Sequence, residues 1–249
     1  MGAKSWLDAL LAFFYPNVCQ LCGAQRAESK DGFVCMQCRS GSEGVVWVDP
    51  PFCSRCGLPF PGAITTEFEC SNCKEMDLKF ESARAAVAAT RNVREAIHRY
   101  KYGRALWIEP FLAEQLLARA LPELRDDPCD AILPVPLHPV KQREREFNQA
   151  ERLGKILSEA TGIPLRTDLL KRDTYTTTQT SLSREKRLEN VKRAFSCRRP
   201  EEIKGRSFVV VDDILTTGAT TSACAGVLHK AGAARVRVWT LARATREQN

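Results

Sequence analysis

From about residue 80 onward, short apolar runs alternate with longer amphipathic stretches. ARAAVAAT (83–90) reads as a strand. RNVREAIHRYKYG (91–103) reads as a helix, with Gly103 as its C-terminal stop. IEPFLAEQLLARALPEL (108–124) is amphipathic and carries Pro110 in its first turn, where proline is tolerated. AILPVPLHP (131–139) reads as a short buried strand entering a proline-rich turn. FNQAERLGKILSEATG (147–162) is a helix ending at Gly162, and 163–170 reads as a strand. DTYTTTQTSLS (173–183) is polar and hydroxyl-rich, as a loop is, and SREKRLENVKRAF (183–195) is helical with basic faces. RSFVVVDD (206–213), TTSACAGVLHKAG (220–232) and RVRVWTLAR (235–243) complete the series as strand, helix and strand. Such alternation predicts an α/β domain built on a mostly parallel sheet. Sheets of this kind take ligands at the carboxyl ends of their strands.

Composition narrows the class without changing it. At 44% hydrophobic and 27% charged residues, the 249-residue chain has the make-up of a soluble globular protein. No apolar stretch approaches the roughly 20 residues that span a bilayer. WLDALLAFFY (6–15) contains Asp8 and lacks a small-residue cleavage site, so it reads as a short docking helix capped by Ser5 rather than a signal peptide. A cytoplasmic location is therefore expected. The net charge of +7 is concentrated: residues 141–199 hold 15 Lys/Arg and 8 Asp/Glu, and the remainder is balanced. A basic segment of this kind suits a phosphorylated ligand or nucleic acid, although a solvated basic face has the same composition.

Eight of the eleven cysteines form four C-x-x-C pairs: Cys19/Cys22, Cys35/Cys38, Cys53/Cys56 and Cys70/Cys73. The pattern repeats in tandem, and Gly23 and Gly57 follow the first knuckle of each repeat. Two residues between cysteines let both sulfurs reach one tetrahedral ion, and four thiolates close its shell. Each repeat thus reads as a structural zinc ribbon, with two Zn²⁺ in all. The expected compartment and the repeated spacing favour zinc over disulfides. Four cysteines alone do not exclude an iron–sulfur cluster. Spacing leaves sequential and crossed pairing of the knuckles open. A segment this small has little core of its own, so metal binding supplies its folding energy. Cys129, Cys197 and Cys224 have no partner spacing and read as ordinary small buried or half-buried residues. The division expected is 1–79, an N-terminal helix and double zinc ribbon, followed by an α/β domain at 80–249.

VVVDDILTTGATT (209–221) carries the most chemistry. A strand ends in Asp212 and Asp213, a turn runs from Leu215 to Thr220, and a helix follows. Helix N-terminal amides favour an anion, and Gly218 permits close backbone approach. Thr216, Thr217 and Thr220 add hydroxyl donors beside the amides of Gly218 and Ala219. The turn lacks the lysine of a Walker loop and the glycine spacing of a dinucleotide fingerprint. A carboxylate pair accepts hydrogen bonds from vicinal hydroxyls. Diol receptor and phosphate cradle together describe a ribose 5-phosphate site.

This stretch resembles the phosphoribosyl pyrophosphate (PRPP) signature of type I phosphoribosyltransferases. With the double zinc ribbon, YKYG (100–103), PVPLHPVKQREREFNQAERL (134–153) and RDTYTTTQTSLSREKRLENVKRAF (172–195), the chain resembles the ComF family along nearly its whole length. The fold this implies is a phosphoribosyltransferase-like parallel sheet behind a small double zinc ribbon. The resemblance assigns Asp212 and Asp213 to the ribose hydroxyls and Thr216–Thr220 to the 5-phosphate, with Mg²⁺ accompanying PRPP. It puts a pyrophosphate loop after Pro136, with Lys141, Arg143 and Arg145 as cations, and a closing hood at 173–183 followed by Arg184, Lys186 and Arg187. Glu146 departs from the family pattern, which has glycine there.

The function implied is PRPP binding in natural transformation, with handling of imported single-stranded DNA and docking of a helicase or DNA-processing factor as partners. The alternative is an active phosphoribosyltransferase of nucleotide metabolism or salvage, passing ribose 5-phosphate to an unidentified acceptor. Leu241, Ala242 and Arg243 are candidates for lining an acceptor pocket. Tyr100, Tyr102 and Trp107, beside Lys101 and Arg104, are candidates for stacking bases.

Overall fold

The computed structural model describes residues 17–64, 66–175 and 193–245. The expected helix at 6–15, most of the loop at 173–183 and most of the helix at 183–195 lie outside these residues, as do Arg184, Lys186 and Arg187. Along the chain come α1 (Met36–Arg39), α2 (Ser71–Glu75), β1 (Ala83–Ala88), α3 (Arg91–Tyr102), α4 (Glu109–Asp126), β2 (Ala131–Pro134) and α5 (Pro139–Arg145). There follow α6 (Gln149–Thr161), β3 (Leu170–Arg172), β4 (Phe195–Cys197), β5 (Ser207–Leu215), α7 (Ala219–Lys230) and β6 (Arg235–Arg243).

Two compact units emerge. One combines Met1–Val46 with Thr90–Glu114, and the other combines Trp47–Ala89 with Gln115–Asn249. This division cuts across the expected boundary between residues 79 and 80. The first ribbon shares a unit with α3, and the second shares one with the sheet.

In the first unit, Val93, Ala96, Ile97 and Tyr100 form the buried face of α3. Thr90 caps that helix, and its hydroxyl also donates to the Gly44 carbonyl at 2.6 Å. Asn92 donates to the carbonyl of Cys38 at 3.0 Å, which fixes the helix against the ribbon. α3 stops at Gly103, which keeps φ −88 rather than the left-handed turn expected of a glycine stop; Arg104 takes φ 52 instead.

In the second unit, four parallel strands run in the order β1-β6-β5-β2. β5 and β6 are buried along most of their length, as central strands covered on both faces are. Phe80, Leu133, Phe208, Val210, Val236, Val238 and Leu228 pack in one core, and Cys53, Cys56 and Cys73 belong to it. The second ribbon is thus part of the sheet's core rather than an appendage to it. Gly57 lies so close to β1 that a Cβ there would sit 2.7 Å from the Ala83 carbonyl oxygen.

Three local expectations change. Residues 163–169 form no strand beyond a single bridge from Leu165 to Ile132, and β3 begins only at Leu170. Pro164 has no N–H to offer a ladder, and Arg166 and Asp168 hold each other through two side-chain bonds at 2.9 and 3.0 Å. Phe195 starts β4, antiparallel to β3, rather than ending a helix. The segment after Pro136 is not an open loop but α5, with Pro139 in its first turn.

Candidate ligand site and metal centres

β5 lies between β6 and β2, and its carboxyl end carries the acid pair. Asp212 is half-buried and Asp213 buried, and the Asp213 amide donates to Asp212 Oδ1 at 2.9 Å. Thr216 and Thr217 are exposed, Gly218 is buried, and Ala219 and Thr220 are half-buried. Gly218 has φ 79 and caps α7. That conformation strains any side chain, and a Cβ there would also meet the Phe80 ring at 3.4 Å. The Thr217 hydroxyl accepts from the Ala219 amide at 3.4 Å, and the Thr221 hydroxyl donates to the Gly218 carbonyl at 3.1 Å. The strand, the acids, the turn and the N-terminus of α7 therefore follow one another directly, and amides at a helix N-terminus favour an anion.

The candidate cations of the pyrophosphate loop lie on α5. Lys141 Nζ sits 5.9 Å from the centre of the Tyr175 ring, and the His138 ring lies 5.3 Å from the same tyrosine. Arg143 is exposed. Arg145 donates to Gln149 Oε1 at 3.0 Å, and Gln149 Nε2 is buried without a hydrogen-bond partner. Glu146 ends the helix at φ 68, the left-handed conformation that glycine adopts without strain.

A residue the sequence reading missed completes this group. Arg172, on β3, stacks over Phe195 at 5.2 Å. Burial pushes its guanidinium below the usual range, and the Asp212 carboxylate and Arg145 guanidinium both act on it electrostatically. No spacing in the sequence connects residue 172 to residue 212; only the fold brings them together. Cys224, fully buried on α7, has its thiol pushed up by burial, as an inert packed cysteine does.

Both metal centres assemble from consecutive knuckles. Cys19, Cys22, Cys35 and Cys38 form one cluster and Cys53, Cys56, Cys70 and Cys73 the other, with the ligand atoms of each within 4.8 Å of one another. In the second cluster the Cys53–Cys73, Cys56–Cys70 and Cys70–Cys73 sulfur separations are 3.7, 3.7 and 3.6 Å. A disulfide needs about 2.05 Å. A tetrahedron with Zn–S bonds of about 2.3 Å has edges of about 3.8 Å. Backbone amides point at the sulfurs as well: Cys35 to Cys19 Sγ at 3.4 Å, and Cys70 to Cys53 Sγ at 3.3 Å. The residues present fit two four-cysteine zinc ions with sequential pairing.

Leu241, Ala242 and Arg243 are all buried. Tyr100 is buried in the core, with its hydroxyl bonded to Glu109, so it is not a stacking platform. Tyr102 and Trp107 are 61% and 46% exposed. The Tyr102 ring lies 4.9 Å from that of His98, and His98 lines an open cleft of about 670 Å³ with Cys22, Arg91, Arg94 and Arg99.

Fold and site together define a phosphoribosyltransferase-type domain joined to a double zinc ribbon. Residues 10–74 match the double zinc ribbon domain family and residues 148–249 the phosphoribosyl transferase domain family. The chain is 32% identical to Competence protein F of Haemophilus influenzae over 198 residues, which is 78% of this chain and 85% of that protein. It is 31% identical to the DNA utilization protein YhgH of Escherichia coli K12 over 231 residues, 92% of this chain and 97% of that one. It is 25% identical to Competence protein ComFC of Bacillus subtilis, over 91% of this chain and 95% of that protein. The chain belongs to the ComF family. Among the described residues no helix is long and apolar enough to cross a membrane.

Proposed function

We propose that this chain binds PRPP, accompanied by Mg²⁺, at the β5–α7 turn, and acts with single-stranded DNA in its uptake or use. The observation that carries the reading is the acid pair at the end of β5 joined directly to a threonine–glycine turn on a helix N-terminus. Asp212 and Asp213 take the ribose hydroxyls, and the amides and hydroxyls of Thr216–Thr220 take the 5-phosphate. Arg145, with Lys141 beside it on α5, faces the pyrophosphate. Relatives named for competence and for DNA utilization support the DNA side of the proposal. On the first unit, the basic cleft of α3 and the exposed Tyr102 and Trp107 suit a charged backbone with stackable bases.

One observation favours the second reading, active transfer of ribose 5-phosphate. Arg172 lies within electrostatic reach of both Arg145 and Asp212, so two guanidiniums are available to the negative charge that develops on a leaving pyrophosphate. Calorimetry of the full chain with PRPP and Mg²⁺ tests the binding reading. Binding that Asp212→Asn/Asp213→Asn abolishes is expected; equal affinity in that variant overturns the site. Release of pyrophosphate in a nucleobase screen would favour transfer.

A further inference from the structure

Arg243, the last residue of β6, is 5% exposed, and its guanidinium reaches two places at once. Nε donates to the Cys56 carbonyl at 3.0 Å, and Nη2 approaches the Cys56 sulfur at 3.5 Å. Nη1 donates to the carbonyls of Leu215 at 2.9 Å, Thr216 at 2.7 Å and Ala244 at 2.9 Å. Cys56 is a ligand of the second four-cysteine site, and Thr216 begins the phosphate turn. One planar fork therefore joins a metal ligand to the backbone that shapes the ligand site.

The charge of this arginine explains the coupling. A buried guanidinium is costly without a counter-charge. Among the described residues, the one acidic side chain it contacts is Cys56, through its sulfur. A divalent ion held by four thiolates leaves a dianionic cluster, which supplies that counter-charge.

A second set of contacts runs the same way. Arg55, within the Cys53–Cys56 knuckle, donates to the Leu78 carbonyl at 2.6 Å. The Lys79 amide donates to Ser222 Oγ, in the first turn of α7, at 2.9 Å. Leu78 and Phe80 stand 3.6 and 3.4 Å from where a Cβ on Gly218 would be.

We infer that the second zinc ribbon is a working part of the phosphate turn, with Arg243 the positioning residue between them: metal bound by Cys53, Cys56, Cys70 and Cys73 holds residues 215–222 in the form that takes the ligand. The inference rests on the PRPP reading for its ligand, but not for the coupling itself. Linkage makes the effect reciprocal. Metal at this site strengthens PRPP binding, and PRPP strengthens retention of this metal by the same factor.

The test uses the full zinc-loaded chain, with Arg243→Met and Arg243→Lys. Lysine keeps the charge but loses the fork, so it reports if the methionine variant fails to fold. Three quantities are read: amide exchange over residues 213–222, affinity for PRPP with Mg²⁺, and equilibrium zinc loss to a competing chelator with and without PRPP. Exchange should rise at least about tenfold and PRPP affinity fall at least about tenfold in the methionine variant, with lysine intermediate. In the unaltered chain, PRPP should protect one zinc ion and leave the other as it was. Unchanged exchange in a folded Arg243 variant overturns the proposal, and so does equal PRPP protection of both ions or of neither when PRPP binds. Should the unaltered chain bind no PRPP, the PRPP reading fails, and the exchange measurement alone decides whether the ribbon supports the turn.

Discussion

Leu215 and Arg243 are partners across the parallel ladder of β5 and β6, and the arginine's Nη1 donates to the leucine's carbonyl at 2.9 Å. Backbone pairing and a side-chain bond thus fix one point where the sheet, the β5–α7 turn and the second ribbon meet. Removing metal from that ribbon is therefore expected to loosen the sheet as well. Cys53→Ser/Cys73→Ser should lower the thermal midpoint of the unit containing β1, β2, β5 and β6. An unchanged melting profile for those strands by hydrogen exchange would show the ribbon to be independent.

Glu146 occupies a left-handed position at φ 68. A non-glycine residue there is strained by about 1–2 kcal/mol, offset in part by glycine's greater freedom in the unfolded chain. Glu146→Gly is expected to stabilise the protein by about 0.5–1 kcal/mol. A urea titration with an unchanged slope reads the gain, and a lower midpoint would contradict it.

Asp168 accepts two bonds from Arg166, which hold its carboxyl down at about 2, and Arg166 and Arg199 lower Glu202 as well. Both groups bind a proton less tightly in the folded chain than in the unfolded one. The resulting stability is complete above the unfolded carboxylate range of about 4 and is lost as pH falls through the folded values. The difference in urea midpoint between the unaltered chain and Arg166→Met should be present at pH 6 and shrink between pH 4 and pH 2. A difference that held constant to pH 2 would mean that packing, not charge, is responsible.

Tyr100 and Tyr102 are separated by one residue and have opposite fates, one buried and one 61% exposed. Tyr102→Ala should weaken binding of single-stranded DNA by about tenfold while leaving stability within about 0.5 kcal/mol, as loss of one base stack does. Tyr100→Ala should instead cost about 3–5 kcal/mol of stability. Fluorescence anisotropy at several salt concentrations, paired with urea melts, separates the two. Full DNA affinity in Tyr102→Ala would move the DNA site elsewhere.

What the sequence disclosed follows the range of the interactions involved. The zinc knuckles and the VVVDDILTTGATT turn are local, so ligand type and spacing name them directly. The strong strands β5 and β6 are runs of buried apolar residues and read equally well. The weak strand predicted at 163–170 failed because Pro164 and the Arg166–Asp168 pair override a mild apolar signal. Arg172, and the bridging contacts of Arg243, were out of reach for another reason. Each acts on partners tens to more than a hundred residues away, and an isolated arginine in a sequence reads the same whether it is solvated or buried. Crossed pairing of the knuckles stayed open for the same cause, since spacing does not encode which sulfurs meet.

The strand order β1-β6-β5-β2 also governs when the molecule can become itself. Among the described strands β1 pairs with β6, which lies about 150 residues further along the chain, while a bridge from Trp47 to Val87 and the Val48 amide cover part of its other edge. During synthesis the edge of β1 that takes β6 therefore waits until the last strand has been made. The arginine that joins the second ribbon to the β5–α7 turn sits at the end of that last strand. A ribbon that has already captured its metal would thus act as a placeholder, holding its own knuckles until β6 enters between β1 and β5 and closes the sheet.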